Sequence, residues 1–277
     1  MTAPTLTLND GNMIPQIGLG TGFLTDDEIA PIIVRAVEAG YRHIDTAVNY
    51  GNETGIGRGI VQSGIAREDL FVTTKVDGTY QGQDRAIVGL DGALSRLRLD
   101  YVDLLLIHWP LPWRDEYVST WRTFEKLLDS GKARSIGLSN FKPRHIDRLF
   151  AETSVRLTIN QIQLNPRISR AEQRDYNAAH GILTESWSPL GRGNDLLSEP
   201  VLLALAEKYG KMAGQIVLRW HIELGLVAIP RSSNATRIAQ NIDVFDFVLA
   251  PDEVTAITAL DTGAEPRVDS DQVGTGS

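Results

Sequence analysis

The chain contains no cysteine. Disulfides, thiolate zinc sites and thiol nucleophiles are therefore excluded, and with them redox switching through sulfur. Long hydrophobic runs are missing as well: the densest apolar stretch, Leu104 to Ile107, is far too short to span a bilayer. The opening residues, Met1 to Leu6, hold neither a basic segment nor an apolar one, which predicts an unprocessed soluble protein of a reducing cytoplasm. On that reading the sequons at Asn52 and Asn234 carry no glycan. Positive charge is scarce: 27 Lys and Arg stand against 35 Asp and Glu, a net charge of −8. Such a balance repels nucleic acid and anionic membranes, so neither is expected as a partner. The five histidines show no His-Glu-x-x-His or close pairing, so no metal is expected. There is no Pro/Gly/Ser-rich linker, charge run or internal repeat to divide the 277 residues, which read as one domain with a polar tail from about residue 262.

What is present is a core and a rhythm. Hydrophobic residues make up 42% of the chain, enough for a large α/β domain. Thr5 to Pro15 reads as two strands around Asn9-Asp10-Gly11-Asn12, because Asp-Gly supplies the positive φ that hairpins need. Apolar or β-branched runs then recur at Gln16 to Leu19, His43 to Thr46, Phe71 to Val76, Leu104 to His108, Ser135 to Ser139, Thr158 to Leu164, Leu183 to Ser186 and Val227 to Pro230. Helical patterns lie between them: Ile29, Ile32, Ile33, Ala36 and Val37 mark one apolar face, and Ile87, Leu90, Leu94 and Leu97 another. Further helices are predicted at 53–63, 117–129, 143–152, 170–180, 199–209, 215–223 and 251–259. Eight strands alternating with helices are what a closed (β/α)₈ barrel needs. An open doubly wound sheet is the competing architecture, but Gly18-Leu-Gly20-Thr-Gly22 and Gly55-Ile-Gly57-Arg-Gly59 both miss the Gly-x-Gly-x-x-Gly spacing.

In a parallel barrel the reactive groups gather at the C-terminal strand ends. There the sequence places Asp45 with Tyr50 five residues on, Lys75, and His108. Singly, each could belong to a plain ion pair; together they make a proton-transfer set. An ammonium within hydrogen-bond range favours a phenolate, so Lys75 is expected to lower the pKa of Tyr50. Asp45 would hold Lys75 charged, and His108 could bond the same substrate oxygen as Tyr50. Phe23, Tyr80, Trp109 and Trp113 follow strands one, three and four, and are the candidates for the substrate wall, with ordinary loop packing as the alternative.

His43-Ile-Asp45-Thr-Ala-Val-Asn-Tyr50-Gly-Asn-Glu53, Thr74-Lys75, Asp103-Leu-Leu-Leu-Ile-His108-Trp-Pro110, Ser135-Ile-Gly-Leu-Ser-Asn140-Phe141 and Ile229-Pro-Arg-Ser232 closely resemble the aldo-keto reductases, in order and spacing, from about Leu6 to Leu260. Thr184 to Gly191 and Asn241 to Phe247 look most like the bacterial 2,5-diketo-gluconate reductases. The resemblance implies a TIM barrel closed at its base by the N-terminal hairpin, with extra C-terminal helices. It implies an enzyme that reduces aldehydes, α-dicarbonyls or keto-sugars with NADPH, with Tyr50 as general acid, Lys75 and Asp45 tuning it, and His108 orienting the substrate; no coiled-coil heptad or evident exposed apolar strand demands an interface, so a monomer is expected. Ser139, Asn140 and Gln161 would meet the nicotinamide carboxamide, and Trp187 would stack on its ring. Ser188, Leu190, Arg231, Ser232 and Arg237 would take the phosphates, with Gln240 and Asn241 near the adenine. Two arginines suit the 2′-phosphate that NADH lacks.

The chain also departs from the family pattern. Gln163 and Asn165 replace a carboxylate and an imidazole, Arg231 replaces a lysine, Gln240 a glutamate, and no aromatic stands two residues after Lys75. Two other classes compete: a nucleotide-binding regulatory protein on the same scaffold, and a short-chain dehydrogenase. The second needs Tyr-x-x-x-Lys, and no tyrosine here has a lysine four residues later.

Overall fold

Each apolar run becomes a strand and each run of 3.6-residue periodicity a helix lying outside it. The computed structural model describes residues 3–193, 195–266 and 268–273. Eight parallel strands lie side by side in chain order: β3 (Leu19–Gly20), β4 (His43–Asp45), β5 (Phe71–Val76), β6 (Val102–Ile107), β7 (Ala133–Ser139), β8 (Ile159–Gln163), β9 (Leu183–Trp187) and β10 (Val227–Ile229). The sheet closes on itself. Ile17 bridges Ala228 in parallel, Gly18 N donates to Ala228 O at 2.9 Å, and Ala228 N donates to Gln16 O at 3.0 Å. The first barrel strand was expected at Gln16 to Leu19 and begins later. The Gln16 amide instead donates to Pro4 O at 2.8 Å, so this stretch still serves the hairpin.

That hairpin, β1 (Thr5–Thr7) with β2 (Met13–Pro15), is antiparallel and turns through Gly11 at φ +89°. Its Leu8 and Ile14 form a buried cluster with Phe71, Leu104, Leu106, Ile159 and Val227. The barrel floor is thus apolar and plugged from below. Asn9 donates to the carbonyls of Leu157 and Gly181, and Asn12 to that of Arg134, which satisfies backbone acceptors at the barrel rim.

The outer layer runs α1 (Asp26–Ala39), α2 (Glu53–Ser63), α3 (Arg85–Leu97), α4 (Tyr117–Asp129), α5 (Pro143–Glu152) and α6 (Ala171–Ala179), then α7 (Pro200–Tyr209) and α8 (Ala213–Glu223) between β9 and β10, and α9 (Ala235–Ile242) and α10 (Pro251–Thr258) at the end. Ile29, Ile33, Ala36, Leu90, Leu94 and Leu97 face inward in one large core with Val72, Leu105 and Ile107. α9 has no counterpart among the predicted helices; Asn234 caps it by accepting from Arg237 N at 3.0 Å. Beyond α10 the described tail residues are irregular, and they are tied to the barrel mouth. Lys142 pairs with Asp269 at 2.6 Å and also holds Asp271, as does Arg144, while Trp113 Nε1 donates to Val273 O at 3.0 Å.

Candidate active site

Strand alternation sends every second residue into the barrel. Leu104 and Leu106 continue as His108, Thr73 as Lys75, His43 as Asp45, Ile159 as Gln161, and Leu183 as Glu185 and Trp187. The interior therefore changes from apolar at the hairpin end to polar at the C-terminal end. Lys75 is fully buried and its Nζ donates to Asp45 Oδ1 at 2.6 Å and to Thr46 O at 3.0 Å. The Tyr50 ring, carried by the single turn Val48–Tyr50 after β4, lies 5.3 Å from that ammonium. The His108 ring meets it edge-on at 5.8 Å and stacks on Trp109 at 6.3 Å. Gly22 approaches the Tyr50 ring from the β3 loop, where a Cβ would stand 3.4 Å away. Asp45, Tyr50, Lys75 and His108 thus share one wall of the mouth.

Burial and the Lys75–Asp45 pair set the protonation states. Burial opposes the Lys75 charge, but Asp45 and the neighbouring Tyr50 and Glu185 hold its pKa above the ordinary lysine value. Burial raises the Asp45 carboxyl, against the pull of Lys75 and Gln161. His108 is lowered to about 3 by burial and then by Lys75, so it is neutral. Tyr50 corrects the sequence expectation. Lys75 does act to lower it, but burial acts the other way and is larger, so the phenol lies above its usual value and keeps its proton.

The residues expected around a nicotinamide are bound to one another. Asn140, at φ +67°, donates through Nδ2 to His108 O and to Ser139 Oγ, both at 3.0 Å, and accepts from Trp187 Nε1 at 2.8 Å. Ser139 Oγ donates to Gln161 O at 3.1 Å, and Gln161 Nε2 donates to Asp45 Oδ2 and Glu185 Oε2, both at 2.8 Å. Their remaining capacity is as acceptors, which fits the NH₂ of a carboxamide. Ser188 is held at φ +54° beside half-buried Leu190. Arg231 and Arg237 are exposed on either side of the α9 N-terminus, Ser232 and Asn241 are buried, and Gln240 is half-buried. Two guanidiniums at a helix N-terminus suit phosphate.

Among the wall candidates, Phe23 is 77% exposed at φ +64°, with the guanidiniums of Arg192 and Arg231 at 5.1 and 5.5 Å from its ring. Trp109 and Trp113 lie in the β6 loop. Tyr80 does not join them: its ring lies on Gly89 of α3, because the turn Gly78–Tyr80 directs it into the helix layer. Sequence reasoning passed over Glu185, His43 and Arg192. The first two share inward parity with Trp187 and Asp45, a signal the strand pattern contained.

A model of the aldo/keto reductase family matches residues 15–262. The chain belongs to that family. The reductase is 45% identical to the methylglyoxal reductase DkgA of Salmonella typhimurium, over 99% of this chain and 100% of that one. It is 48% identical to an aldo/keto reductase of Brucella melitensis whose crystal structure matches with a TM-score of 0.90 over 94% of this chain and 100% of that chain. The Bombyx mori aldo-keto reductase crystallised with NADP is 39% identical and matches at 0.92, over 99% and 98% of the two chains. The reductase is thus an NADPH-dependent oxidoreductase of carbonyl groups.

Proposed function

We propose that the reductase converts small dicarbonyls and keto-sugars to hydroxy compounds, with Tyr50 as general acid. The observation that carries this reading is a proton-bearing phenol beside a buried, charged lysine and a neutral imidazole. When bound, NADPH supplies the hydride that the carbonyl carbon accepts. As that carbon is reduced, negative charge gathers on the carbonyl oxygen. Tyr50 gives that oxygen its proton, and the phenolate left behind is stabilised by Lys75, which Asp45 keeps oriented. Neutral His108 directs a hydrogen bond to the same oxygen and fixes the carbonyl against Tyr50. Phe23, Trp109 and Trp113 form the substrate wall. Ser139, Asn140, Gln161 and Trp187 hold the nicotinamide, Ser188, Leu190, Arg231, Ser232 and Arg237 the phosphates, and Gln240 and Asn241 the adenine end.

The name of the Salmonella relative supports methylglyoxal as a first substrate to test. The protein works as a cytoplasmic monomer in one domain, a reading supported by its cysteine-free sequence and by a mouth that its own tail completes. Purified protein should oxidise NADPH with methylglyoxal or 2,5-diketo-gluconate, and NADH far more slowly. Tyr50→Phe should keep the NADPH affinity and lose about 10²- to 10⁴-fold in kcat, the usual range for a lost acid. Reduction by that variant at the parental rate would overturn the assignment.

A further inference from the structure

Behind the four residues at the mouth lies a second polar layer for which the reaction has so far found no use. Glu185 on β9 is fully buried, and its Oε2 accepts from Gln161 Nε2 at 2.8 Å. The same nitrogen donates to Asp45 Oδ2, also at 2.8 Å. A side-chain amide nitrogen has two hydrogens, so both are committed, one to each carboxyl. Glu185 Oε1 makes no hydrogen bond and stands 3.8 Å from Nε2 of His43, whose ring is engaged with Thr73 Oγ1 at 3.0 Å. Lys75 lies beyond Asp45, and Tyr50 beyond Lys75.

Two carboxyls and one ammonium share this dry layer. If all three ionised, one negative charge would be left without a counter-charge, which an interior strongly disfavours. We propose that Glu185 is a positioning residue for carbonyl reduction: with Asp45 it clamps the Gln161 amide, leaving Gln161 Oε1 as the acceptor offered to the nicotinamide carboxamide, and it does so as a protonated acid that adds no charge behind Lys75. The charges facing Glu185 agree. Burial, then the Asp45 charge, raises its carboxyl to about 8, with Gln161 and Lys75 pulling the other way. His43 is lowered to about 3 by burial and then by Lys75, so it stays neutral and supplies no counter-charge. Once Glu185 ionises, the added negative charge tightens the Lys75 proton and opposes a phenolate on Tyr50. The alkaline limb of alcohol oxidation, which uses that phenolate as base, is where this shows.

The inference rests on the reading that Gln161 meets the nicotinamide, and three variants separate the two. E185Q keeps an acceptor for Gln161 but cannot ionise; E185L removes the acceptor; Q161L removes the amide itself. Infrared difference spectra of the cofactor-free protein, taken on either side of about pH 8, should show a protonated carboxyl lost on the alkaline side and absent from E185Q. NADPH dissociation constants from quenching of protein fluorescence should be unchanged in E185Q, whereas the rise of alcohol oxidation with pH should flatten above about pH 8 in the parent but not in E185Q. E185L should bind about tenfold more weakly at every pH, the worth of one buried hydrogen bond. If E185L does not fold, E185Q carries the test: an alcohol-oxidation pH profile superimposable on the parent overturns the proposal, as does a spectrum without the carboxyl band. If Q161L weakens NADPH and E185L does not, the Glu185 clamp alone is wrong. If Q161L binds NADPH like the parent, the underlying placement of Gln161 fails, and the clamp with it.

Discussion

Lys75 sits where its neighbours leave it no freedom: fully buried, 2.6 Å from Asp45, and under the Tyr50 ring. Replacing it by methionine keeps the volume but leaves the Asp45 carboxylate buried with only Gln161 for company. Breaking such a pair from one side costs about 3–5 kcal/mol. Lys75→Met should therefore lower the unfolding free energy measured in urea by that amount, as well as abolishing turnover. A variant as stable as the parent would show that Asp45 simply takes up a proton. At this scale Asp45, Tyr50, Lys75 and His108 were legible because titratable residues at strand ends stand out in a barrel pattern. The protonation of Tyr50 was not, since the sequence shows which charge is near but not how much water is excluded. Tyr80 was misread for a similar reason: a loop position does not say which way a ring turns, and this one covers Gly89.

Between elements, the tightest constraint is where α2 crosses α1. A Cβ on Gly55 would lie 2.3 Å from the backbone oxygen of Asp26, and the Gly55 amide donates to the Asp26 carboxylate. Neither partner can give, because one is backbone and the other caps the contact. Gly55→Ala should cost about 1–3 kcal/mol or more, the range for forced overpacking. Gly214 in α8 is the contrast: a Cβ there meets only Leu190 at 3.9 Å, and alanine should stabilise by about 0.5–1 kcal/mol. Chemical denaturation of the two variants reads both signs. The long amphipathic helices and the Asp-Gly hairpin were visible in the sequence through period and turn chemistry. α9 was not, because its eight residues carry only two large apolar side chains, Ile238 and Ile242, too short a pattern to mark a helix.

Across the molecule, buried imidazoles govern the response to acid. Burial lowers His43 and His108 to about 3 and His221 to about 4, so the folded state binds fewer protons than the unfolded chain once pH drops below about 6.5. Their stabilisation is complete above that value and is lost as pH falls toward the folded values. Glu185 acts in the opposite sense: raised to about 8 from 4.5, it stabilises fully below the lower value and loses that contribution as pH rises through the interval. Below pH 6.5 four histidines, His145 being lowered by burial as well, outweigh the two raised carboxyls of Glu185 and Asp45; above it Glu185 acts without the histidines. Melting temperatures followed by circular dichroism should thus peak near pH 6.5, falling steeply on the acid side and gently toward pH 8. E185Q should lack the gentle alkaline decline. A melting point that climbs on acidification would contradict the neutral assignment of the histidines.

The sequence by itself determined the barrel, because alternation of strand and helix is written in hydrophobic period, and it determined the residues at the mouth, because strand ends are readable once strands are. Tertiary structure alone decided what those residues bond to. Gln161 and Glu185 are partners on the neighbouring strands β8 and β9, but Asp45 comes from distant β4, and only barrel closure brings one amide between two carboxyls. The same closure excludes water, and exclusion of water sets which groups hold protons, a quantity that no local pattern of residues encodes.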